Sequence, residues 1–125
     1  MSKVISTPNA PAAIGPYSQA IVSGSLVFTS GQIAINPATQ RVEATTIEAQ
    51  TEQVMKNLKA ILEEAGSSMD RVIKTTCFLA NIEDFAVFNG IYAQYLPGKP
   101  ARSCVSVKDL PGKVLVEVEA IAEIG

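Results

Sequence analysis

The sequence predicts an α+β fold, in which two helices pack on one face of a mixed sheet. Two segments carry apolar residues at helical spacing, and the segments around them are rich in β-branched residues. Their order is strand, strand, helix, strand, helix, strand, strand, which favours helices layered on one side of a sheet. A length of 125 residues suits one domain, so we assign residues 1–125 to a single domain that can bury its own core.

The chain starts with an irregular segment and a hairpin. Three prolines and a glycine within residues 7–16, here called the arm, predict an extended segment without regular structure. Two β-prone runs follow, residues 20–22 and 26–33. The short link Ser23-Gly24-Ser25 between them indicates a β-hairpin, because glycine in a short link between such runs is a turn signal.

Residues 45–65 form the clearest predicted helix. Thr45 and Glu48 have the spacing of a capping box, in which each side chain accepts an otherwise unpaired backbone N–H. Gly66 is expected to end the helix. The apolar residues recur every three or four positions and predict one buried stripe: Ile47, Val54, Leu58, Ile61, Leu62 and Ala65.

The second half of the chain alternates strands with one more helix. Residues 71–80 favour a strand, and Asn81 is a candidate cap for a helix that Pro97-Gly98 closes. Two strands, residues 101–107 and 114–124, end the chain. The helix has aromatic residues along one face, interpreted as core: Phe85, Phe88, Tyr92 and Tyr95.

The last two strands carry the strongest candidates for chemistry. The tight connection at Leu110-Pro111-Gly112 predicts an antiparallel pair, and strand side chains alternate between faces. Apolar residues should then face the helices, and the polar ones should project together from the opposite face: Arg102, Cys104, Ser106, Glu117 and Glu119. If a neighbouring subunit covers that face, Arg102 is suited to bind a carboxylate and Glu117 to activate water. Without a cover, the pattern describes an ordinary hairpin with a solvated charge pair.

Composition and charge exclude several classes of function. The net charge is −2 and the ten Lys and Arg residues are scattered, so we expect no nucleic-acid partner. No segment approaches the roughly 18 apolar residues of a membrane span, and no secretory signal is recognisable, so we expect a cytoplasmic protein without a membrane partner. Charged residues make up 18% of the chain, below the usual quarter or so. Low charge favours a homo-oligomer, the alternative being a monomer with a somewhat apolar surface.

The absence of histidine removes the commonest general base and metal ligand. Ser-His-Asp and Cys-His arrangements are therefore impossible, and Cys77 and Cys104 alone make a poor zinc site. We interpret both as free thiols in a reducing compartment, with Cys104 either a nucleophile or simply a small residue facing a pocket. Because no phosphate-binding glycine motif is present either, the sequence predicts neither a metal nor a cofactor.

Two further positions are weaker candidates for a binding site. Ser30-Gly31 ends the second predicted strand, where glycine lets a ligand approach the backbone, although a simple strand terminus explains it equally well. Tyr17 directly follows Gly15-Pro16 and is either a packed anchor or the wall of a pocket.

Five stretches, in order from one end of the chain to the other, resemble the RidA (YjgF-type) family of reactive-intermediate deaminases. They are residues 10–19, 29–33, 72–76, 100–105 and 117–122. The resemblance implies a chorismate-mutase-like homotrimer whose sheets form a central barrel, with three clefts between subunits. It also implies hydrolysis of 2-imino and enamino acids, such as 2-aminoacrylate/2-iminopropanoate and 2-iminobutanoate, to 2-keto acids and ammonia without a cofactor.

The same resemblance implies roles for eight residues. Arg102 would bind the substrate carboxylate, and Glu117 would hold and activate the attacking water. The remaining residues would contact the substrate or line the cleft: Tyr17, Ser30, Gly31, Phe88, Asn89 and Cys104. Lys99 stands where an aromatic residue often precedes the Pro-Ala-Arg-Ser stretch, and the connection at residues 95–99 is shorter than in many relatives. Both departures bear on the width of the cleft.

Other functions remain open at this stage. A regulator could bind keto or amino acids through Arg102 without turning them over. A ribonuclease or translation inhibitor is disfavoured by the acidic balance and the lack of histidine. A chaperone-like surface is compatible with the low charge, but no specific residue supports it.

Overall fold

Two α-helices pack on one face of a six-stranded mixed sheet in the computed structural model, which describes residues 2–125. The helices are α1 (Ile47–Glu64) and α2 (Phe85–Tyr95). The strands are β1 (Ser2–Ile5), β2 (Ala20–Ser23), β3 (Leu26–Thr29), β4 (Ile35–Asn36), β5 (Arg41–Val42), β6 (Val72–Leu79), β7 (Ala101–Ser106) and β8 (Val116–Glu123). The sheet order is β1-β2-β3-β8-β6-β7, and β4 and β5 form a separate ribbon. The predicted α+β class is confirmed.

Helix α1 supplies much of the core and keeps close to its predicted bounds. Its cap is Thr46, whose Oγ1 accepts the backbone N–H of Ala49 at 3.2 Å, so the prediction that Thr45 caps the helix is wrong by one residue. The helix ends where Gly66 adopts a φ of 84°, a conformation that glycine reaches without steric cost. The predicted stripe is confirmed by fully buried side chains at Val54, Leu58, Ile61 and Leu62.

Three short strands were not predicted from the sequence. Strand β1 pairs antiparallel with β2 at the edge of the sheet, and the β4–β5 ribbon contains two residues on each side. Such short segments contain too few residues to show the alternation of apolar and polar side chains by which a strand is recognised. The hairpin of β2 and β3 and the strand β6 are confirmed, and the arm has no helix or strand, as predicted. Asn81 precedes a single 3-10 turn rather than α2 itself, and its side chain makes no capping hydrogen bond.

Strand β7 pairs with β6, not with β8 as the sequence analysis predicted. Helix α2 connects β6 to β7, and a crossover helix carries the chain back so that the next strand runs parallel to the first. Strand β6 therefore lies between β7 and β8, with a parallel pair on one side and an antiparallel pair on the other. The predicted antiparallel hairpin of residues 101–107 and 114–124 is wrong.

This pairing places the two main candidate residues on opposite faces of the sheet. Arg102 is in register with Thr75, a buried residue on the face that α2 covers. Glu117 is in register with Phe78, three positions along β6, and so projects from the other face, as does Glu119. The prediction that Arg102 and Glu117 share a face is therefore wrong within one chain.

The face of the sheet away from the helices, here called the open face, is partly apolar. Val4, Phe28 and Val105 lie on it with 62%, 41% and 46% of their surface exposed. Val105 was predicted to face the helices. In the edge strand β7, however, the polar residues face the helices and Val105 faces the other way. That a second subunit covers this face stays a prediction. Neither helix within residues 2–125 combines the length and the apolar character that crossing a bilayer requires.

Candidate functional site

The larger of two candidate cavities, here called the Glu117 cavity, opens at one end of the open face. Its volume is about 560 Å³, within the range of small-molecule sites. The lining residues come from the arm and Tyr17, from the segment after β3, and from β8: Pro11, Ala12, Ile14, Tyr17, Gln19, Ser30, Gly31, Gln32, Ile33, Ile35, Pro111, Glu117 and Glu119. Apolar side chains therefore surround a polar end that carries two carboxylates.

Gly31 makes room for the Glu117 carboxylate. A Cβ atom at Gly31 would lie 2.1 Å from Oε2 and 2.8 Å from Cδ of Glu117, distances at which atoms overlap. No residue with a side chain fits there while Glu117 keeps its position. The carboxylate thus lies directly against the backbone that follows β3, and both line the cavity.

The environment of Glu117 favours the protonated form more than water does. Partial burial raises the pKa of its carboxyl above the usual range, and the charge of Glu119 adds to the rise. The one salt bridge within residues 2–125 joins Arg41 to Glu43, so no arginine or lysine of the described residues forms an ion pair with Glu117. A carboxylate with a raised pKa is a stronger base, which suits it to take a proton from water.

Ser30 ties the cavity wall to the segment before β2. Its hydroxyl donates to the carbonyl oxygen of Ser18 at 2.5 Å, and its backbone N–H donates to the carbonyl oxygen of Gln19 at 2.9 Å. Because the hydroxyl proton is already used, Ser30 can offer a ligand only its acceptor lone pairs. Its neighbour Gly31 presents backbone atoms to the same cavity.

The smaller cavity, here called the Arg102 cavity, lies between α2 and the edge strand β7. It has a volume of about 330 Å³, and its lining includes Asn89, Lys99, Pro100 and Arg102. Arg102 donates from Nη1 to Oδ1 of Asn89 at 2.6 Å. The guanidinium carbon also lies 4.9 Å from the ring centre of Tyr92 and 5.4 Å from that of Phe85, which adds cation–π attraction.

These contacts hold Arg102 in one orientation without neutralising it. Tyr92 is itself fixed by a 2.7 Å hydrogen bond between its hydroxyl and that of Thr75. Since one donor of the guanidinium goes to Asn89, the others remain for a planar anion such as a carboxylate. Sequence reasoning missed Phe85 and Tyr92 as partners of Arg102. Their spacing with Asn89, at i, i+4 and i+7 along α2, is the signal that could have found them.

Cys104 lies beside the Arg102 cavity, in register with Cys77 on β6. Burial raises the pKa of the Cys104 thiol, an effect that the Arg102 guanidinium opposes, and burial raises the pKa of Cys77 to about 12. Both thiols are therefore largely protonated near neutral pH, which favours the interpretation of Cys104 as a small residue facing the site over that of a nucleophile.

The eight predicted site residues thus separate into three groups. Four of them line the Glu117 cavity: Tyr17, Ser30, Gly31 and Glu117. Asn89 and Arg102 line the Arg102 cavity with Cys104 nearby. Phe88 is fully buried and packs on Tyr92 with ring centres 5.5 Å apart, and it lines neither cavity of the single chain, so its place in a cleft wall stays a prediction. Within residues 2–125 no cluster of side chains has the composition of a metal site.

The topology and the two cavities define a class, a small α+β domain with cavities of the size that small molecules occupy. Comparison with known proteins identifies the family. A family model described as Endoribonuclease L-PSP matches residues 7–124. The chain belongs to this family, the RidA or YjgF family that its motifs resemble.

Relatives with different names match over nearly the whole chain. The sequence is 55% identical to "Putative regulator AldR" of Lactococcus lactis over 98% of both chains. It is 48% identical to the "2-iminobutanoate/2-iminopropanoate deaminase" of Escherichia coli, also over 98% of both chains.

Solved structures share the fold. A putative endoribonuclease L-PSP from Entamoeba histolytica superposes with a TM-score of 0.97 at 54% identity, covering 99% of this chain and 100% of the other. E. coli TdcF, crystallised with bound serine, superposes with a TM-score of 0.94 at 42% identity, covering 98% of this chain and 99% of the other.

Proposed function

We propose that the protein is a hydrolytic deaminase that converts 2-imino and enamino acids to 2-keto acids and ammonia. Its proposed substrates are 2-aminoacrylate/2-iminopropanoate and 2-iminobutanoate, and the two imino acids are the compounds in the name of the E. coli relative. The observation that carries the proposal is the Glu117 carboxylate, half-buried against Gly31 in a cavity, with a raised pKa. Such a group is suited to activate water, and hydrolysis of an imine needs little more.

The mechanism uses two charged groups and no cofactor. Arg102 binds the substrate carboxylate, and Glu117 accepts a proton as the oxygen of a water molecule bonds to the imine carbon. Glu117 then returns this proton to the nitrogen of the tetrahedral adduct. An electron pair of the hydroxyl oxygen forms the keto group as the C–N bond breaks and ammonia leaves, and the hydroxyl proton passes to the Glu117 carboxylate and from there to solvent.

The complete site requires two copies of the chain. Arg102 faces α2 and Glu117 projects from the open face, so one chain does not direct both groups at one substrate. A cleft between subunits would join the Arg102 cavity of one copy to the Glu117 cavity of the next. The exposed apolar side chains of the open face and the unpaired edge of β7 support such an assembly. We propose the homotrimer with a central barrel, in which three clefts form.

The protein is further proposed to act in the cytoplasm. Its two cysteines are free although they are in register on neighbouring strands, as expected in a reducing compartment. A small metabolite is the proposed partner, and neither nucleic acid nor membrane belongs to the proposal.

The test is keto-acid formation from 2-aminoacrylate and 2-iminobutanoate, generated by a dehydratase in the presence of a competing imine trap. Wild type should accelerate the reaction, and Arg102→Ala and Glu117→Ala should both lose the acceleration. Full activity of Arg102→Ala would contradict the proposed binding of the substrate carboxylate by Arg102.

Mixing the two variants tests the assembly. A cleft regains activity when it combines the intact Glu117 of an Arg102→Ala subunit with the intact Arg102 of a Glu117→Ala subunit. Random reassembly of equal amounts should then restore about a quarter of the wild-type activity. No recovery in a mixture shown by mass spectrometry to exchange subunits would contradict a shared site.

A second function is favoured by the identity to a putative regulator in L. lactis. A regulator would bind keto or amino acids at Arg102 without turnover. Binding of 2-oxobutanoate that Arg102→Ala abolishes, together with no acceleration of imine hydrolysis by wild type, would establish the regulator instead.

A further inference from the structure

We propose that Gln19 is a positioning residue, which holds the arm as a fixed wall of the Glu117 cavity and thereby determines which side chains the substrate can carry. The inference rests on the proposed deaminase and adds a determinant of its specificity. Gln19 has no role in the proposed mechanism, and no pattern in the sequence distinguishes it.

The side chain of Gln19 is committed to the arm. Only 3% of the residue is exposed. Its Oε1 accepts the backbone N–H of Thr7 at 2.7 Å, and its Nε2 donates to the carbonyl oxygens of Pro11 at 2.7 Å and Thr7 at 3.1 Å, with a longer contact to Ala10 at 3.4 Å. The amide has both its acceptor and its donors engaged, so it has no group left for a substrate.

These bonds replace the regular structure that the arm lacks. No strand or helix includes residues 7–16, so their position depends on a few hydrogen bonds and on packing. The backbone of Gln19 continues the connection, since its carbonyl oxygen accepts the N–H of Ser30. One residue therefore ties the arm to the segment that carries Gly31 and contacts Glu117.

The arm forms the apolar side of the cavity. Pro11, Ala12 and Ile14 line it, and Tyr17 follows directly after the arm. Ile14 and Tyr17 are 79% and 53% exposed in the single chain, so within one subunit little packing holds them in place apart from the backbone that Gln19 fixes. A wall that is fixed limits the size of the side chain that fits beside the reacting carbon, whereas a loosened wall limits it less.

The experiment compares Gln19→Leu with Gln50→Leu. Gln50 is also buried, and its amide also bonds to backbone, the carbonyl of Ala44 and the N–H of Leu115, which do not line the cavity.

Both variants lose buried hydrogen bonds and should lower Tm. Gln19→Leu should lower kcat/KM about 10-fold, mainly through KM. It should also reduce several-fold the preference between 2-iminopropanoate and the imine of leucine, whichever wild type prefers. Gln50→Leu should leave both quantities unchanged.

Hydrogen exchange provides a readout that does not depend on turnover. Amides of the arm should exchange faster in Gln19→Leu while those of α1 and β8 keep their protection, and affinity for 2-oxobutanoate should fall. Unchanged exchange of the arm, or equal effects of Gln19→Leu and Gln50→Leu on substrate preference, would overturn the inference. If wild type lacks deaminase activity, the proposed function fails, while exchange and 2-oxobutanoate affinity still decide whether Gln19 positions the arm. Gln19→Met, which keeps the side-chain length, replaces Gln19→Leu if that variant does not fold.

Discussion

The Arg102 cavity and the Glu117 cavity hold their charged groups by opposite means. Arg102 is held by attractive contacts, a hydrogen bond to Asn89 and two aromatic rings of α2. Glu117 instead occupies the space that the missing side chain of Gly31 leaves free, and the nearby charge of Glu119 repels its carboxylate. The surroundings of Glu117 raise its pKa, so this group is arranged to change its protonation. In the proposed mechanism, this difference assigns substrate binding to the Arg102 cavity and activation of water to the Glu117 cavity.

Removing the base should have the largest effect. Glu117→Gln keeps the shape of the side chain but cannot accept a proton, so kcat should fall by about 10³-fold. Binding of 2-oxobutanoate, measured by calorimetry, should change little because Arg102 is intact. A loss of binding equal to the loss of kcat would mean that both cavities serve binding, which would end the distinction between them.

Gly31→Ala should have the next largest effect. The new Cβ would overlap the Glu117 carboxylate, which must rotate away, so kcat should fall by about 10²-fold. Stability should change little, because a flexible side chain can move aside. Gly90→Ala is the matched control. Apart from its chain neighbours and the backbone of its own helix, no atom lies within 4 Å of a Cβ built there, so activity should be kept and the helix stabilised by about 0.5–1 kcal/mol.

Substitutions in the Arg102 cavity should change the affinity for the substrate rather than kcat. Asn89→Ala removes one hydrogen bond to Arg102, worth about 1 kcal/mol, so KM should rise about 5-fold with kcat nearly unchanged. Asn89→Asp should raise KM further, since a carboxylate at this position would compete with the substrate for the guanidinium. Steady-state kinetics on both variants checks this. A fall in kcat with constant KM would contradict the assignment of this cavity to binding.

The smallest expected effect is a shift in the pH dependence of kcat/KM. Glu117 acts as a base only when deprotonated, so kcat/KM should fall as the pH drops through its raised pKa. Glu119→Gln removes one cause of that rise, so the acidic limb should move to lower pH, while burial still keeps it above the usual range for glutamate. A limb that stays in place in Glu119→Gln would show that another group titrates.

The local elements of the fold could be predicted because short-range patterns determine them. The periodicity of α1, its glycine stop and the β2–β3 hairpin are visible in neighbouring residues. The pairing of β7 could not be predicted in this way, because the alternation of apolar and polar residues along β7 suggests the wrong face. Val105 is exposed on an edge strand, whereas Arg102 and Cys104 turn toward α2. The helix between β6 and β7 was the better signal for a parallel pair.

The candidate site could be predicted residue by residue but not as an arrangement. Arg102, Glu117 and Gly31 were named from pattern and resemblance, and all three line cavities. Their separation onto two faces follows from strand order, which depends on contacts distant in sequence. Gln19 was missed because its importance lies in hydrogen bonds to backbone, and a glutamine in a sequence gives no indication of such partners.

The unequal burial of the two cysteines provides a chemical probe of folding. The chain has no tryptophan, so the usual intrinsic fluorescence signal is absent. Cys77 is fully buried while Cys104 is partly accessible. A small thiol reagent should therefore label Cys104 in the native protein and reach Cys77 only when β6 opens. The number of labelled thiols per chain, followed over time by mass spectrometry, reports the rate at which the centre of the sheet becomes accessible.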